Sequence, residues 1–256
     1  MKKHYFKSVS LLFAMFLFSC STQDLTEETI TDTTSTVPST SQTAKNGILK
    51  MTSSNVTTWN FDDLNEWEDA TQVGNPNYWI ENGNLHMFTN ANTWERTKVK
   101  SVSSYTTGNY SWRIFVPEMG EGDMASIGAF LYNNDTHELD FEIGYGKETI
   151  RQELNAASDD LIVYATSQAN PYHSFPSKIK RQQWYTLSIV VALNNKKKYV
   201  ATWKIDDVVL TSKTLAYGTK SKFKIFCSLE NLTFMGDHIP YTQNYTLFDW
   251  VGYSEN

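Results

Sequence analysis

Cysteine is nearly absent: Cys20 and Cys227 are the two in a chain of 256 residues. Two cysteines cannot make a zinc site alone, and the five histidines show no metal-ligand spacing beside them. Long apolar runs are also missing. Leu11 to Phe18 is the longest such stretch and is too short to span a bilayer comfortably. Basic residues are not in excess either. Lys and Arg number 22 against 28 Asp and Glu, a net charge of -6, with the signs intermixed. Such a surface does not attract a phosphate backbone, which argues against a nucleic-acid partner and is compatible with a neutral polymer. No window shows sustained helical periodicity, and no internal repeat is visible.

What is present begins with an export signal over residues 1–19. Lys2, Lys3 and Lys7 form a basic start before the apolar run, which ends Leu17-Phe18-Ser19-Cys20. This ending resembles the bacterial lipobox, in which the peptide is cut before the cysteine and the cysteine takes lipid. Cys20 is therefore the expected lipidation site, with the protein exported and anchored to the outer membrane. That leaves Cys227 without an intrachain partner. It lies in the strand-like run Lys224 to Leu229 and reads as a small core residue. Residues 20–47 are rich in Ser and Thr and contain no aromatic side chain. They cannot bury enough apolar surface to offset ordering entropy, and read as a flexible tether. The acidic residues just after Cys20 resemble surface-export signals of some outer-membrane lipoproteins.

Composition changes at about residue 48, and every Trp lies between Trp59 and Trp250. Residues 48–256 are enough for one domain with a large core. The pattern is nearly all β. Asn82-Gly83 marks a two-residue hairpin inside Asn77 to Thr89. Strands are expected over 110–116, 127–132, 138–143, 161–165, 184–193, 199–205, 208–211, 223–229 and 245–253, the return at 208 crossing Asp206-Asp207. Many short strands at this spacing predict an all-β, two-sheet β-sandwich or jelly roll.

One strand carries chemistry. In His137-Glu138-Leu139-Asp140-Phe141-Glu142 the acids alternate with apolar residues, so a strand places all three acids on one face. Like charges so close raise one another's pKa and cost stability, which folding alone gives no reason to build. Glu138 and Glu142 are about 13.6 Å apart at Cα for a ~3.4 Å rise. Side chains leaning together can approach the ~5–5.5 Å carboxyl separation of a retaining glycosidase.

This segment, continued by Ile143-Gly144, resembles the Glu-x-Asp-x-Glu signature of glycoside hydrolase family 16 in its form without a bulged residue. Ordered flanks agree: Trp94-Glu95-Arg96-Thr97, Gly108 to Arg113, Gln152 to Asn155, Trp184-Tyr185-Thr186, Trp203 to Val209, and Phe248 to Tyr253. The resemblance spans roughly residues 55 to 256 and implies a concanavalin A-like jelly roll, with the acids lining a polysaccharide cleft. It implies Glu138 as nucleophile, Asp140 as its hydrogen-bonding tuner and Glu142 as acid/base. The expected substrate is a β-linked polysaccharide, with β-1,3- or mixed-linked glucan favoured. The competing reading is a non-catalytic carbohydrate-binding lipoprotein on the same fold. Expected substrate contacts are Trp94, Arg96, His137, Tyr132, Gln152 and Asn155, the last two on a family-like strand. Tyr145, Tyr172, Phe175 and Tyr241 are further candidates for stacking on sugars. No cofactor is expected. Some family members hold a structural calcium, but no oxygen-ligand loop stands out here. A monomer is expected. The sequence departs from the family pattern at His137, at Asp206-Asp207 and at Ile189 to Ala192, where a Trp is common.

Overall fold

The structure is a computed structural model that describes residues 56–255. The expected export signal over residues 1–19, lipidation at Cys20, the tether over 20–47 and the domain start at residue 48 lie outside the described residues.

Fifteen strands and one helix follow in chain order. They are β1 (Val56–Trp59), β2 (Trp67–Asp69), β3 (Tyr78–Glu81), β4 (Asn84–Thr89), β5 (Arg96–Ser101), β6 (Gly108–Val116), β7 (Ala125–Asn134) and β8 (His137–Gly144). After the helix α1 (Glu148–Glu153) come β9 (Asp160–Ser167), β10 (His173–Lys180), β11 (Gln183–Leu193), β12 (Tyr199–Ile205), β13 (Val208–Thr214), β14 (Lys224–Asn231) and β15 (Asn244–Ser254). One sheet has the order β13-β12-β11-β6-β15-β4-β3, with β1 added alongside β15. The other has the order β10-β9-β8-β7-β14-β5-β2. All pairings between these strands are antiparallel. This is the expected two-sheet jelly roll.

Alternation along the strands builds the core. Leu139, Phe141 and Ile143 of β8 are fully buried in the same core cluster as Tyr110, Trp112, Ile114 and Val116 of β6. Two core tryptophans also tie the sheets with hydrogen bonds. The Trp203 indole N–H on β12 donates to the Asp140 carbonyl at 3.0 Å, and that of Trp112 donates to the Phe226 carbonyl at 3.1 Å. Each satisfies a polar group that burial would otherwise leave costly. Trp203 thus holds the acid-bearing strand from behind. Cys227 is fully buried, as expected of a core residue, and burial pushes its thiol well above the ordinary range.

Both expected tight turns form. Asn82 and Gly83 have φ of 53° and 72°, the double positive φ of a type I′ turn. Asp206 and Asp207 adopt φ of 47° and 65° without a glycine. Asp206 Oδ1 accepts a 2.8 Å bond from the Thr186 amide, which anchors that turn to β11. β10 has few apolar residues and contains Pro176. It sits at a sheet edge, where a missing N–H is tolerated.

β1, β2 and β10 lie outside the stretches expected to be strands, and one expected strand is replaced by a helix. The family-like strand through Gln152 to Asn155 is instead α1 and its C-terminal turn. Glu148, Arg151 and Gln152 favour helix, Gln152 donates to Glu148 one turn back at 2.9 Å, and Asn155 takes φ 48° beyond the end. Arg151 fastens the segment by donating to the carbonyls of Tyr145, Asp160 and Ala157.

Candidate active site

β8 lies inside the seven-stranded sheet between β7 and β9. Because its apolar residues face the core, Glu138, Asp140 and Glu142 point from the outer face. Glu138 and Glu142 open onto a cleft of about 540 Å³ also lined by Arg96, Lys98, Phe130, Tyr132, Gln168, Phe226 and Glu230, with Asp140 buried between them.

The register explains what surrounds the acids. Glu142 pairs with Gly128, Gly128 with Ser228, and Ser228 with Lys98. This row is flat in its middle. A side-chain carbon on Gly128 would collide with Ser228 Oγ and lie 3.3 Å from Glu142 Oε1, so the glycine keeps the floor open beside Glu142. The next row runs from Ser126 to Glu230 to Arg96. Ser126 donates a short hydrogen bond to Glu142 Oε2. Glu230, only 2% exposed, accepts from Arg96 Nε at 2.6 Å and pairs with Lys98 Nζ at 2.9 Å. On the third row Phe130 and Phe226 stack at 4.6 Å, and Tyr132 meets Phe226 edge-on at 5.8 Å. The Tyr132 hydroxyl donates to Asp135 at 2.7 Å.

Burial and crowding decide the charge states. Burial pushes Glu142 up to about 8; the negative charges of Glu230 and Glu138 add to this, while the Ser126 bond and Lys98 oppose it. Burial likewise lifts Glu138 to about 7, against the opposing effects of Lys98 and of a hydrogen bond from Asp140. Asp140 is raised well above its usual range by burial, then by Glu138 and Glu142. Gln168 Nε2 donates to Asp140 Oδ2 at 2.8 Å, whereas Oδ1 finds no donor. A proton on Asp140 resolves this, since it can be given to Glu138. Asp140 and Glu138 then share a proton, and Glu142 is held well above the ordinary carboxylate range. Two carboxyls on one strand face, both with raised proton affinity, are groups able to give and take protons near neutral pH. Among the described residues no three or more His, Cys, Asp or Glu side chains are placed to hold a metal ion.

Of the expected substrate contacts, Arg96 and Tyr132 line the cleft. The others lie elsewhere. His137 is one residue from Glu138, so strand alternation turns it away from the acids. Its ring packs on Tyr217 at 3.9 Å, and its Nδ1 is 3.0 Å from Ser221 Oγ. Gln152 and Asn155 flank a separate depression with Tyr145 and Arg151. Trp94 is 48% exposed on the turn before β5, outside the cleft lining. Tyr145, Tyr172, Phe175 and Tyr241 are also outside it. Residues that sequence reading missed are Lys98, Gln168, Phe226 and Glu230. Period-2 alternation in Arg96-Thr97-Lys98-Val99-Lys100 marks a cationic face, but which strand it adjoins is not local information.

No protein-family model matches the chain, and no curated protein matches it. Solved structures do. The catalytic domain of an endo-1,3-β-glucanase (laminarinase) from Thermotoga petrophila RKU-1 is 13% identical with a TM-score of 0.58, covering 79% of this chain and 98% of its own. A glycoside hydrolase family 16 endo-glucanase from Bacteroides ovatus is 14% identical, with a TM-score of 0.50, covering 77% and 98%. A Crh5 transglycosylase solved in complex with NAG is 12% identical, with a TM-score of 0.58, covering 78% and 83%. The chain therefore has the jelly-roll fold seen in glycoside hydrolase family 16.

Proposed function

We propose that the protein is a retaining, endo-acting glycoside hydrolase that cleaves a β-linked polysaccharide, with a β-1,3- or mixed-linked glucan as the favoured target. The observation that carries this is the cleft itself: two carboxyls on one strand face, both raised by burial and facing an open groove. Ionised Glu138 attacks the anomeric carbon while Glu142 passes its proton to the departing glycosidic oxygen, breaking that bond and leaving a glycosyl ester on Glu138. Asp140 donates its hydrogen bond to Glu138 and holds it in position. Glu142, now ionised, takes a proton from water, and the hydroxide attacks the same carbon and releases Glu138. Two inversions give net retention. The similarity to laminarinase and endo-glucanase structures supports the β-glucan class.

The test is incubation with a panel of β-linked polysaccharides, with reducing ends measured and the first-formed anomer read by NMR. Release of β-anomer, absent in Glu138→Gln, is expected. Binding without release would return the protein to a carbohydrate-binding role, and an inverted product would remove Glu138 as nucleophile.

We also infer export and lipid anchoring at Cys20 to the outer membrane, with the polysaccharide reached by a monomer. The basis is the basic start, the short apolar run and the cysteine that ends it. Cys20→Ser is expected to move the protein from the detergent phase to the soluble periplasmic fraction. An unchanged membrane fraction refutes the anchor.

A further inference from the structure

The eight-stranded sheet has its own outer face, on the opposite side of the sandwich from the acid cleft. A row of side chains crosses five adjacent strands there in register. Trp79 on β3 pairs with His86 on β4, His86 with Leu247 on β15, Leu247 with Phe115 on β6, and Phe115 with Trp184 on β11. Four steps between strands at ~4.8 Å give a row about 19 Å long. Phe88 and Tyr245, paired with each other, widen it on one side. On the other side run polar groups: Glu81 pairs with Asn84, and Arg113 pairs with Thr186.

The rings are already held in place. Trp79 stacks on His86 at 4.9 Å and meets Phe88 edge-on at 5.8 Å. Phe115 packs against Trp184 at 5.5 Å and Tyr245 at 6.3 Å, and the Arg113 guanidinium lies 5.8 Å from the Trp184 ring. Yet Trp79 is 44% and Tyr245 46% exposed. Fold stability alone gives no reason to line up this much aromatic surface outside the core. Exposed aromatic patches of this kind mark binding surfaces.

From this arrangement we infer a second, non-catalytic glycan-binding site: the row binds a neutral polysaccharide chain lengthwise across the strands. Three features select that occupant. The surface is elongated, one to two side chains wide, which suits a polymer lying along it. The row itself carries no carboxylate, lysine or arginine, and the Glu81 and Arg113 at its edge, which touch Trp79 and Trp184, are opposite in sign, so the surface favours neither an anionic nor a cationic polymer. Its long polar edge supplies hydrogen-bonding partners for hydroxyls while the rings stack on the apolar C–H faces of the sugars. A protein partner would meet instead an apolar centre enclosed by a polar rim. Only the choice of polymer rests on the function proposed above; such a site would keep substrate close to the enzyme while the cleft cuts.

The experiment separates binding from cutting. The full chain carrying Glu138→Gln is run through native gels containing laminarin or mixed-linkage β-glucan, with and without Trp79→Ala and Tyr245→Ala together. Both residues are near half exposed, so an unchanged unfolding midpoint is the control. The expected result is retardation that weakens about tenfold in apparent affinity on losing the two rings, equivalent to ~1.4 kcal/mol. In the active chain the same pair of changes should leave the rate on a short aryl glycoside unaltered. Equal retardation with and without the rings overturns the site, as does absence of retardation in either polymer. A shift from dimer to monomer on removing the rings also overturns it, because the face would then be a self-interface. Ring-dependent binding without hydrolysis of any polymer would keep this site and remove the hydrolase reading.

Discussion

Glu142→Gln will lose roughly 10²- to 10⁴-fold in kcat/KM on polysaccharide, the usual contribution of a positioned general acid, but far less on an aryl glycoside with an acidic phenol as leaving group. The reason lies in the proton. A glucan's departing oxygen would leave as an alkoxide and must be protonated as the bond breaks. A nitrophenolate leaves unaided, so attack by Glu138 goes ahead at close to its normal rate. The glycosyl-enzyme should then accumulate, because the glutamine cannot activate water for the second step. Added azide, an anion that needs no base, should release it as the glycosyl azide with β configuration. Glu138→Gln should be inactive on both substrates and insensitive to azide, since no covalent intermediate can form. Steady-state rates on the paired substrates and NMR of the azide adduct decide the matter. An equal loss on both substrates with Glu142→Gln would show that Glu142 is not the acid.

Why this strand could be read ahead of its surroundings follows from where the information sits. Glu138, Asp140 and Glu142 interleave with Leu139, Phe141 and Ile143, and two-residue alternation is a local property that any strand obeys. The hairpin at Asn82-Gly83 is equally local. The same logic also disposes of His137: an odd-numbered neighbour of an even-numbered face belongs with the core side, and there it packs on Tyr217. Helix α1 escapes a periodicity test because six residues complete less than two turns. Lys98 and Glu230 fail for a different reason. They are 132 residues apart and meet only because β5 pairs with β14, which no window of sequence contains. The three acids of the cleft are thus written along one strand, while their electrostatic setting is written across several.

That setting makes the second large prediction. Glu230 is a buried carboxylate on the strand beyond Ser126, which bonds Glu142. Its charge disfavours ionisation of Glu142, so Glu142 retains its proton to higher pH. Under the proposed mechanism, activity should fall on the alkaline side as Glu142 loses that proton. Glu230→Gln removes the like charge and leaves Arg96 and Lys98 unpaired near the cleft. Both changes favour ionised Glu142, so the alkaline limb of kcat/KM should move down by roughly one pH unit. Lys98→Met does the reverse. It removes a cation that stabilises ionised Glu142 and ionised Glu138 alike, so both limbs should move up. The profile depends on charge, which separates it from damage to the fold: a merely destabilised variant lowers the whole curve without sliding it. Profiles of the parent and both variants on the best polysaccharide are the measurement. If the two variants shift in the same direction, or the Glu230→Gln limb stays in place, Glu230 does not set the proton affinity of Glu142.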